Sequence, residues 1–259
     1  MSKFIDKLKQ VSQAVPQSMG FRVEPVSEKP KILLIASLTR SNVNDLAKCV
    51  AGADAALLHI SNLSSGGKTL QKMRQIASDI PWGGWLRDTS GRGIKQMVKI
   101  DCDFLVFPAA NTSLTILQND EVGKIIEVEA SLNEGLLRTI NELPADAVLI
   151  TGEKAGGSFL TWHHLMIFQR FADLLAKPLL ASMPSTVTAS ELQVLWKAGV
   201  DGVVVEVGVK QPERLEELHQ AIDKLTFPSK RRWGKTEALL PYVSGEKDIA
   251  SEEEEELLR

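Results

Sequence analysis

Short apolar runs alternate with amphipathic segments along most of the chain. Each run is bounded by Gly, Pro, Asp or Asn and has the length and composition of a strand buried on both faces. Eight runs fit this description: Ile32–Ser37, Ala55–Ile60, Trp82–Leu86, Phe104–Phe107, Lys124–Ala130, Ala147–Thr151, Leu179–Ser182 and Val203–Val207. Helical periodicity between them predicts helices at Val43–Ala51, Thr69–Ser78, Ser90–Lys99, Leu132–Glu142, Trp162–Ala176, Ser190–Lys197 and Pro212–Leu225. This alternation predicts a (β/α)₈ TIM barrel of the α/β class, with Asn111–Val122 as its least regular connection.

The main alternative is an open, doubly wound sheet of parallel strands. Such sheets, when they bind nucleotides, carry a glycine-rich turn after the first strand, whereas here that turn reads Ser37-Leu38-Thr39-Arg40-Ser41-Asn42. Two similar fragments favour the barrel: Ala51–Leu58 and Ala198–Val205 each place Ala-Gly, one further residue and Asp directly before a strand. We expect the Gly to end the preceding helix in a left-handed conformation and the Asp to occupy the short loop.

The pattern divides the chain into three parts. Residues 1–30 form an N-terminal extension that begins with an amphipathic helix, and we expect this helix to plug or flank the barrel. Residues 31–225 form the barrel itself. Residues 226–259 are a C-terminal tail, predicted to be solvated and partly disordered. Its basic segment 230–233, three cations beside a Trp, leaves a partner-binding or anion-binding arm as the alternative.

Composition and charge narrow the class of protein. Hydrophobic residues make up 44% of the chain, more than disordered proteins contain, and no stretch approaches the ~20 apolar residues of a transmembrane helix. The formal net charge is −3, and because Glu252–Glu256 is acidic throughout, the remainder is close to neutral and does not point to nucleic acid. The first residues lack the apolar core of a secretion signal, and two cysteines without metal or redox spacing fit a reducing compartment. We therefore expect a cytoplasmic protein with a small-molecule ligand and no membrane or nucleic-acid partner. Assembly into a homo-oligomer is compatible with the sequence.

Candidate chemistry lies where the predicted strands end. Barrel active sites are built at the carboxyl ends of the strands, and polar side chains at alternate strand positions face the lumen. Strand five alternates Glu127 and Glu129 with aliphatic residues, and burying such carboxylates calls for cations nearby. The catalytic candidates at this rim are Glu129, Glu206 and His59. The substrate-binding candidates are Arg87, Lys154, Ser61, Gly156, Gly157 and Ser158.

Several of these residues also have purely structural interpretations. Glu127 and Arg87 form a lumen ion pair in one of them, and His59 is a satisfied core histidine in another. Lys154, with glycines around it, is interpreted as a solvated lysine rather than a Schiff-base amine. A divalent cation bound by the three catalytic candidates stays open, although their spacing is not typical of a metal site.

Two glycine-rich segments are candidate anion-binding loops. Gly156-Gly157-Ser158 precedes the helix predicted to start at Trp162, and Ser64–Thr69 (SSGGKT) leads into the helix predicted to start at Thr69. Glycine lets backbone N–H groups approach an oxyanion, and a helix N-terminus adds a favourable dipole. Neither segment has the spacing of a Walker motif.

The segment Lys177–Gly208 (KPLLASMPSTVTASELQVLWKAGVDGVVVEVG) resembles the stretch from strand seven to strand eight of aldolase-type, phosphate-binding TIM barrels. That superfamily includes barrels of tryptophan and histidine biosynthesis and several FMN enzymes. Its members hold a phosphate with a Gly-Gly pair after strand seven and Gly-Ser or Gly-Thr after strand eight. Here Met183-Pro184 and Glu206 stand at those positions, and proline removes a donor while glutamate repels phosphate. The resemblance implies the fold rather than the standard phosphate site, and neither FMN nor a divalent metal is supported by a motif.

Two hypotheses about function follow. In the first, the chain is a lyase- or isomerase-type enzyme that performs acid–base chemistry on a small carbonyl- or phosphate-bearing metabolite. Glu129 is then the general base and Glu206 or His59 its acid partner, and Arg87 or Lys154 binds the anion. In the second, the barrel is a non-catalytic binding or scaffolding protein with a degenerate phosphate site. The missing glycine pair favours the scaffold, whereas the rim charges favour the enzyme, which is the leading hypothesis.

Overall fold

Eight parallel strands form a closed barrel in chain order, with β8 paired to β1. The computed structural model describes residues 2–12, 32–38, 46–60, 63–87, 91–100, 102–151, 160–207 and 213–224. The strands are β1 (Leu33–Leu38), β2 (Ala55–Ile60), β3 (Trp82–Leu86), β4 (Phe104–Pro108), β5 (Gly123–Glu129), β6 (Ala147–Thr151), β7 (Leu179–Met183) and β8 (Gly202–Glu206). Each end lies within one residue of the predicted run. The (β/α)₈ barrel is therefore confirmed, and the open sheet is excluded.

Helices connect the strands and cover the outside of the barrel. The α-helices are α1 (Lys3–Ser12), α2 (Leu46–Cys49), α3 (Leu63–Ile76), α4 (Gly91–Lys99), α5 (Glu134–Thr139), α6 (Trp162–Leu174), α7 (Ala189–Lys197) and α8 (Arg214–Asp223). A 3₁₀-helix, Leu114–Gln118, replaces a full helix in the fourth connection, as its irregular sequence indicated, and another, Ile140–Glu142, follows α5. One large apolar cluster fills the space between strands and helices. Within the described part of the chain, no helix is long and apolar enough to cross a bilayer.

Helix α3 begins earlier than predicted, and this corrects one candidate site. Residues 63–69 already belong to the helix, so the SSGGKT segment is not an anion-binding loop. Its glycines have a packing reason instead: a Cβ added to Gly66 would lie 2.7 Å from Cγ2 of Ile60 on β2. Glycine at this position lets α3 approach the barrel closely.

The two Ala-Gly fragments form the predicted joints at the amino ends of the strands. Gly52 and Gly199 follow α2 and α7 with φ of 76° and 95°, the left-handed conformation expected of a glycine helix cap. The Asp two residues later bonds the neighbouring strand: Asp54 accepts from Leu34 N–H at 2.9 Å and Asp201 from Leu179 N–H at 2.8 Å. These carboxylates therefore tie adjacent strands together at the end of the barrel opposite the candidate site.

Helix α1 plugs the amino end of the barrel. Phe4, Ile5 and Leu8 are almost fully buried and join the inward-facing strand residues in a second apolar cluster, which fills the lower lumen. The ring of Phe4 lies 4.5 Å from the ring of Phe104 at the start of β4, measured between centroids. The sequence left open whether this helix plugs or flanks the barrel, and the buried face shows that it plugs it.

Carboxylates just before β2, β4 and β6 hold α1 in place. Asp103 accepts three hydrogen bonds from the first turn of the helix: from the Ser2 hydroxyl at 2.8 Å and from the N–H groups of Lys3 and Phe4 at 2.8 and 3.0 Å. Further along the helix, lysines pair with the aspartates before β2 and β6: Lys7 with Asp54, and Lys9 with Asp146. With α1 closing this end, the other end of the lumen is where a ligand would enter.

Candidate functional site

The inward-facing positions become polar toward the carboxyl ends of the strands. On β1, Ile35 belongs to the apolar lumen, but Ser37, the next residue facing the same way, carries a hydroxyl and is only 2% exposed. Its Oγ lies 2.9 Å from Nε2 of His59 on β2. The half-buried imidazole is thus held at one nitrogen by a neighbouring strand.

Trp85 and Glu127 extend this polar group around the lumen. The ring of Trp85 on β3 packs on the ring of His59, with 4.3 Å between centroids and 31° between planes. The indole N–H of Trp85 donates to Oε2 of Glu127 on β5 at 2.7 Å. Ser37, His59, Trp85 and Glu127 therefore form a continuous chain of contacts across four strands, which we call the lumen chain.

Two exposed carboxylates lie above the lumen chain at the rim. Glu129 is in register with Thr151 of β6, and its Oε2 accepts a hydrogen bond from the Ser131 hydroxyl at 3.2 Å. Glu206 is in register with Ser37, the residue that bonds His59. Because residues in register on parallel strands face the same side, both glutamates point toward the lumen side, from different parts of the ring.

The described residues do not include every predicted site residue. Arg87 is exposed directly after β3, in phase with Trp85, and its backbone N–H donates to the Ile60 carbonyl at 3.2 Å. Ser61, Lys154 and the Gly156-Gly157-Ser158 loop lie outside the described residues, as does the basic segment 230–233.

The lumen ion pair considered for Glu127 is replaced by a different contact. Within the parts of the chain that the structure describes, no ion pair joins Glu127 to Arg87; the carboxylate instead accepts the Trp85 indole proton. An indole N–H is a neutral donor, so Glu127 keeps its partner without bringing a cation into the lumen.

His59, Glu129 and Glu206 do not lie close enough together to bind a divalent cation as a set. Among the residues described, no three or more His, Cys, Asp or Glu side chains cluster closely enough to bind a metal ion. His59, Glu129 and Glu206 are all described, so they do not converge as a ligand set.

The cysteines take no part in this site. Cys49 and Cys102 are both buried, and no disulfide joins them. Burial raises the pKa of Cys102 from 9.0 to about 12, opposed by hydrogen bonds with the backbone at Phe104 and Gly84. The thiol therefore stays neutral, as expected for a small buried side chain.

Three members of the lumen chain were absent from the predicted site. Ser37 and Trp85 had no assigned role, and Glu127 was considered only as part of an ion pair. The signal for Ser37 was available, since it is a polar residue in the inward phase of an otherwise aliphatic run. Nothing in the sequence indicated that Trp85, rather than a cation, would bond Glu127.

Solved structures with the same fold include mutant forms of the tryptophan synthase α-subunit from the hyperthermophile Pyrococcus furiosus. Two of them match this chain with a TM-score of 0.59 and 14% sequence identity, covering 74% of this chain and 97% of theirs. A further structure of that subunit, from work on its entropic stabilization, has a TM-score of 0.57 at the same identity. No protein-family model and no curated protein sequence matches the chain. The likeness establishes the (β/α)₈ fold of the chain.

Proposed function

We propose that the chain is an enzyme that performs acid–base chemistry of the lyase or isomerase type on a small carbonyl- or phosphate-bearing metabolite, at the carboxyl-end mouth of the barrel. The observation that carries this proposal is the lumen chain, with His59 half-buried between Ser37 and Trp85 beneath two rim carboxylates. A histidine that served only as core filling would not need charged side chains facing the same space. Titratable groups of this kind on the lumen side of several strands are typical of the small-molecule sites of such barrels.

His59 is the proton-transfer group best supported by its surroundings. Imidazole has an ordinary pKa near 6.5, so it exchanges protons readily close to neutral pH. Contacts on the ring face and at Nε2 fix its orientation, which a general acid or base requires.

Glu129 and Glu206 suit the complementary role because they face the lumen from different strands. An elimination or isomerisation removes a proton at one atom of the substrate and delivers one at another, so base and acid must lie on different sides of it. Glu129 on β5 is proposed as the general base, with His59 or Glu206 as the acid. Their failure to converge as metal ligands agrees with this arrangement.

Arg87 is a cation that is placed to bind an anionic part of the substrate. It is exposed at the rim, in phase with Trp85 of the lumen chain. Lys154 and the Gly156-Gly157-Ser158 loop are proposed to assist it on the strength of their sequence alone. An arginine binds carboxylate or phosphate oxygens with two hydrogen bonds and so fixes orientation as well as charge.

The second candidate is a barrel that binds or scaffolds without catalysis. Pro184, which is exposed after β7, offers no N–H to a phosphate, and Glu206 at the end of β8 repels one. These two residues disfavour phosphate binding at the mouth, and they therefore support the second candidate.

A ligand screen by thermal unfolding tests whether the mouth binds a small molecule, which the enzyme requires and a pure scaffold does not. Wild-type protein is heated with inorganic phosphate, phosphorylated sugars, small keto acids, FMN or divalent metal salts, and so are Glu129→Gln, Arg87→Ala and a control, Glu121→Gln. Glu121 is exposed just before β5 at the opposite end of the barrel. For an enzyme we expect stabilisation by at least one small molecule, about 2.7 kcal/mol at a hundredfold excess over its Kd, that the two rim variants lose and the control keeps. A flat response to all ligands, with the rim variants as stable as wild type, supports the scaffold.

A further inference from the structure

Glu127 is a lumen carboxylate that has no role in the chemistry proposed above. It is half-buried on β5, between the apolar lower lumen and the exposed Glu129. Keeping a carboxylate in such a place costs free energy unless its oxygens are bonded, and here one oxygen accepts the Trp85 indole proton at 2.7 Å. The indole ring that donates to Glu127 also packs against the imidazole of His59.

We propose that Glu127 and Trp85 are positioning residues that act on His59: the carboxylate fixes the indole, and the indole face holds and favours the protonated imidazole. The inference rests on the proposed function in that it explains why the imidazole would serve as the acid at the mouth. Neither residue touches the substrate in this scheme.

The physical reason is the electrostatics of the indole ring. The face of an aromatic ring is electron-rich and attracts a cation within about 6 Å of its centroid, and tryptophan does so best. The His59 centroid lies 4.3 Å from that of Trp85, well inside this range. An N–H group bonded to a carboxylate is polarised, which increases the electron density of its ring. Glu127 thus favours protonation of the His59 imidazole by acting on the Trp85 indole between them.

Other groups around His59 act in both directions. Ser37 on β1 is neutral and bonds Nε2, and Glu206 on β8 is in register with Ser37. A carboxylate on that side of an imidazole favours its protonated form. Arg87 is exposed after β3, in phase with Trp85. A nearby cation and burial of the ring both oppose the protonated form. These groups are unchanged when Glu127 or Trp85 is replaced. A difference in the His59 pKa between variants therefore measures the effect of Glu127 and Trp85.

The test is a titration of the histidine side chains by NMR on isotopically labelled full-length protein without ligand. The chain has four histidines, so His163, His164 and His219 on the outer helices serve as internal references. His59→Gln assigns the His59 signal. Wild type is compared with Glu127→Gln and Trp85→Phe, with their double variant, and with Glu121→Gln as the control.

The expected result is a fall in the His59 pKa of about half a pH unit or more in Glu127→Gln and in Trp85→Phe, while the reference histidines and Glu121→Gln stay unchanged. In the Trp85→Phe background, Glu127→Gln should have less than half the effect that it has in wild type, because phenylalanine has no N–H to carry the interaction. Near-UV circular dichroism and urea unfolding identify any variant that does not fold, and the remaining single variant then decides.

Two results would overturn the inference. One is a His59 pKa within 0.2 of wild type in every folded variant, which would make Trp85 and Glu127 packing residues only. The other is an equal effect of Glu127→Gln with and without the indole, which would mean direct action through space. The titration needs no substrate, so a flat ligand screen would count against the proposed function without touching this result.

Discussion

Replacing Asp103 with Ala should release the helix that plugs the barrel. Its carboxylate accepts the Ser2 hydroxyl and the N–H groups of Lys3 and Phe4, which are among the orphan donors of the first turn of α1. Loss of one helix cap costs about 1 kcal/mol, and a buried donor left without a partner costs about 1–3 kcal/mol. Since the Lys3 bond is exposed and water can replace the carboxylate there, the expected loss is about 2–3 kcal/mol.

The assay is urea unfolding followed by circular dichroism, together with amide hydrogen exchange in residues 3–12. Asp103→Asn, which keeps one acceptor oxygen, should lose about half as much as Asp103→Ala. Asp79→Ala is the matched control, because Asp79 is exposed and bonds only the adjacent Ser78 hydroxyl among the described contacts, and it should change stability by less than about 0.5 kcal/mol. A loss below about 0.5 kcal/mol in Asp103→Ala, with exchange in α1 unchanged, would show that the apolar face alone holds the helix.

Two further predictions concern packing and pH. Gly66→Ala should destabilise by about 1 kcal/mol or more, because its Cβ would lie 2.7 Å from Ile60. Gly135→Ala, on the exposed side of α5 with only a 3.4 Å contact, should instead be neutral or stabilise by about 0.5 kcal/mol; urea unfolding measures both, and equal shifts would refute the close approach of α3. Cys102 ionises near 9.0 when unfolded and near 12 when folded, so the folded state binds more protons between these values and stability falls as pH rises through them. Between pH 8 and pH 10, wild type should lose about 1 kcal/mol more stability than Cys102→Ala, and parallel losses would contradict the raised pKa.

The fold was accessible to sequence reasoning because its signals are local. Apolar runs broken by turn residues located all eight strands to within one residue, and Gly52 and Gly199 adopt the left-handed conformation that a helix cap requires. Helix α3 was misplaced because Gly66 was interpreted as a loop residue. Glycine stands at position 66 because a larger side chain would collide with Ile60. That contact depends on how α3 packs against β2, and sequence periodicity does not show it.

The candidate site was accessible only in part. Alternation along β5 correctly indicated that Glu129 faces the lumen, and the same argument applies to Glu206 on β8. The partner of Glu127 comes from β3, on the far side of β4, and it is the Trp85 indole rather than a cation. Pairings between distant strands follow from three-dimensional geometry, which single-strand patterns do not contain.

The most direct measurement of the central claim is hydrogen–deuterium exchange into substrate carbon. The protein is incubated in D₂O with pools of small carbonyl- and phosphate-bearing metabolites, and mass spectrometry reads deuterium at the carbon next to the carbonyl. Proton transfer at the mouth predicts that at least one compound gains deuterium, about a hundredfold more slowly with His59→Ala or Glu129→Gln and at the wild-type rate with Glu121→Gln. Exchange that both His59→Ala and Glu129→Gln support at the wild-type rate, or no exchange into any compound, would contradict the claim that this mouth moves protons.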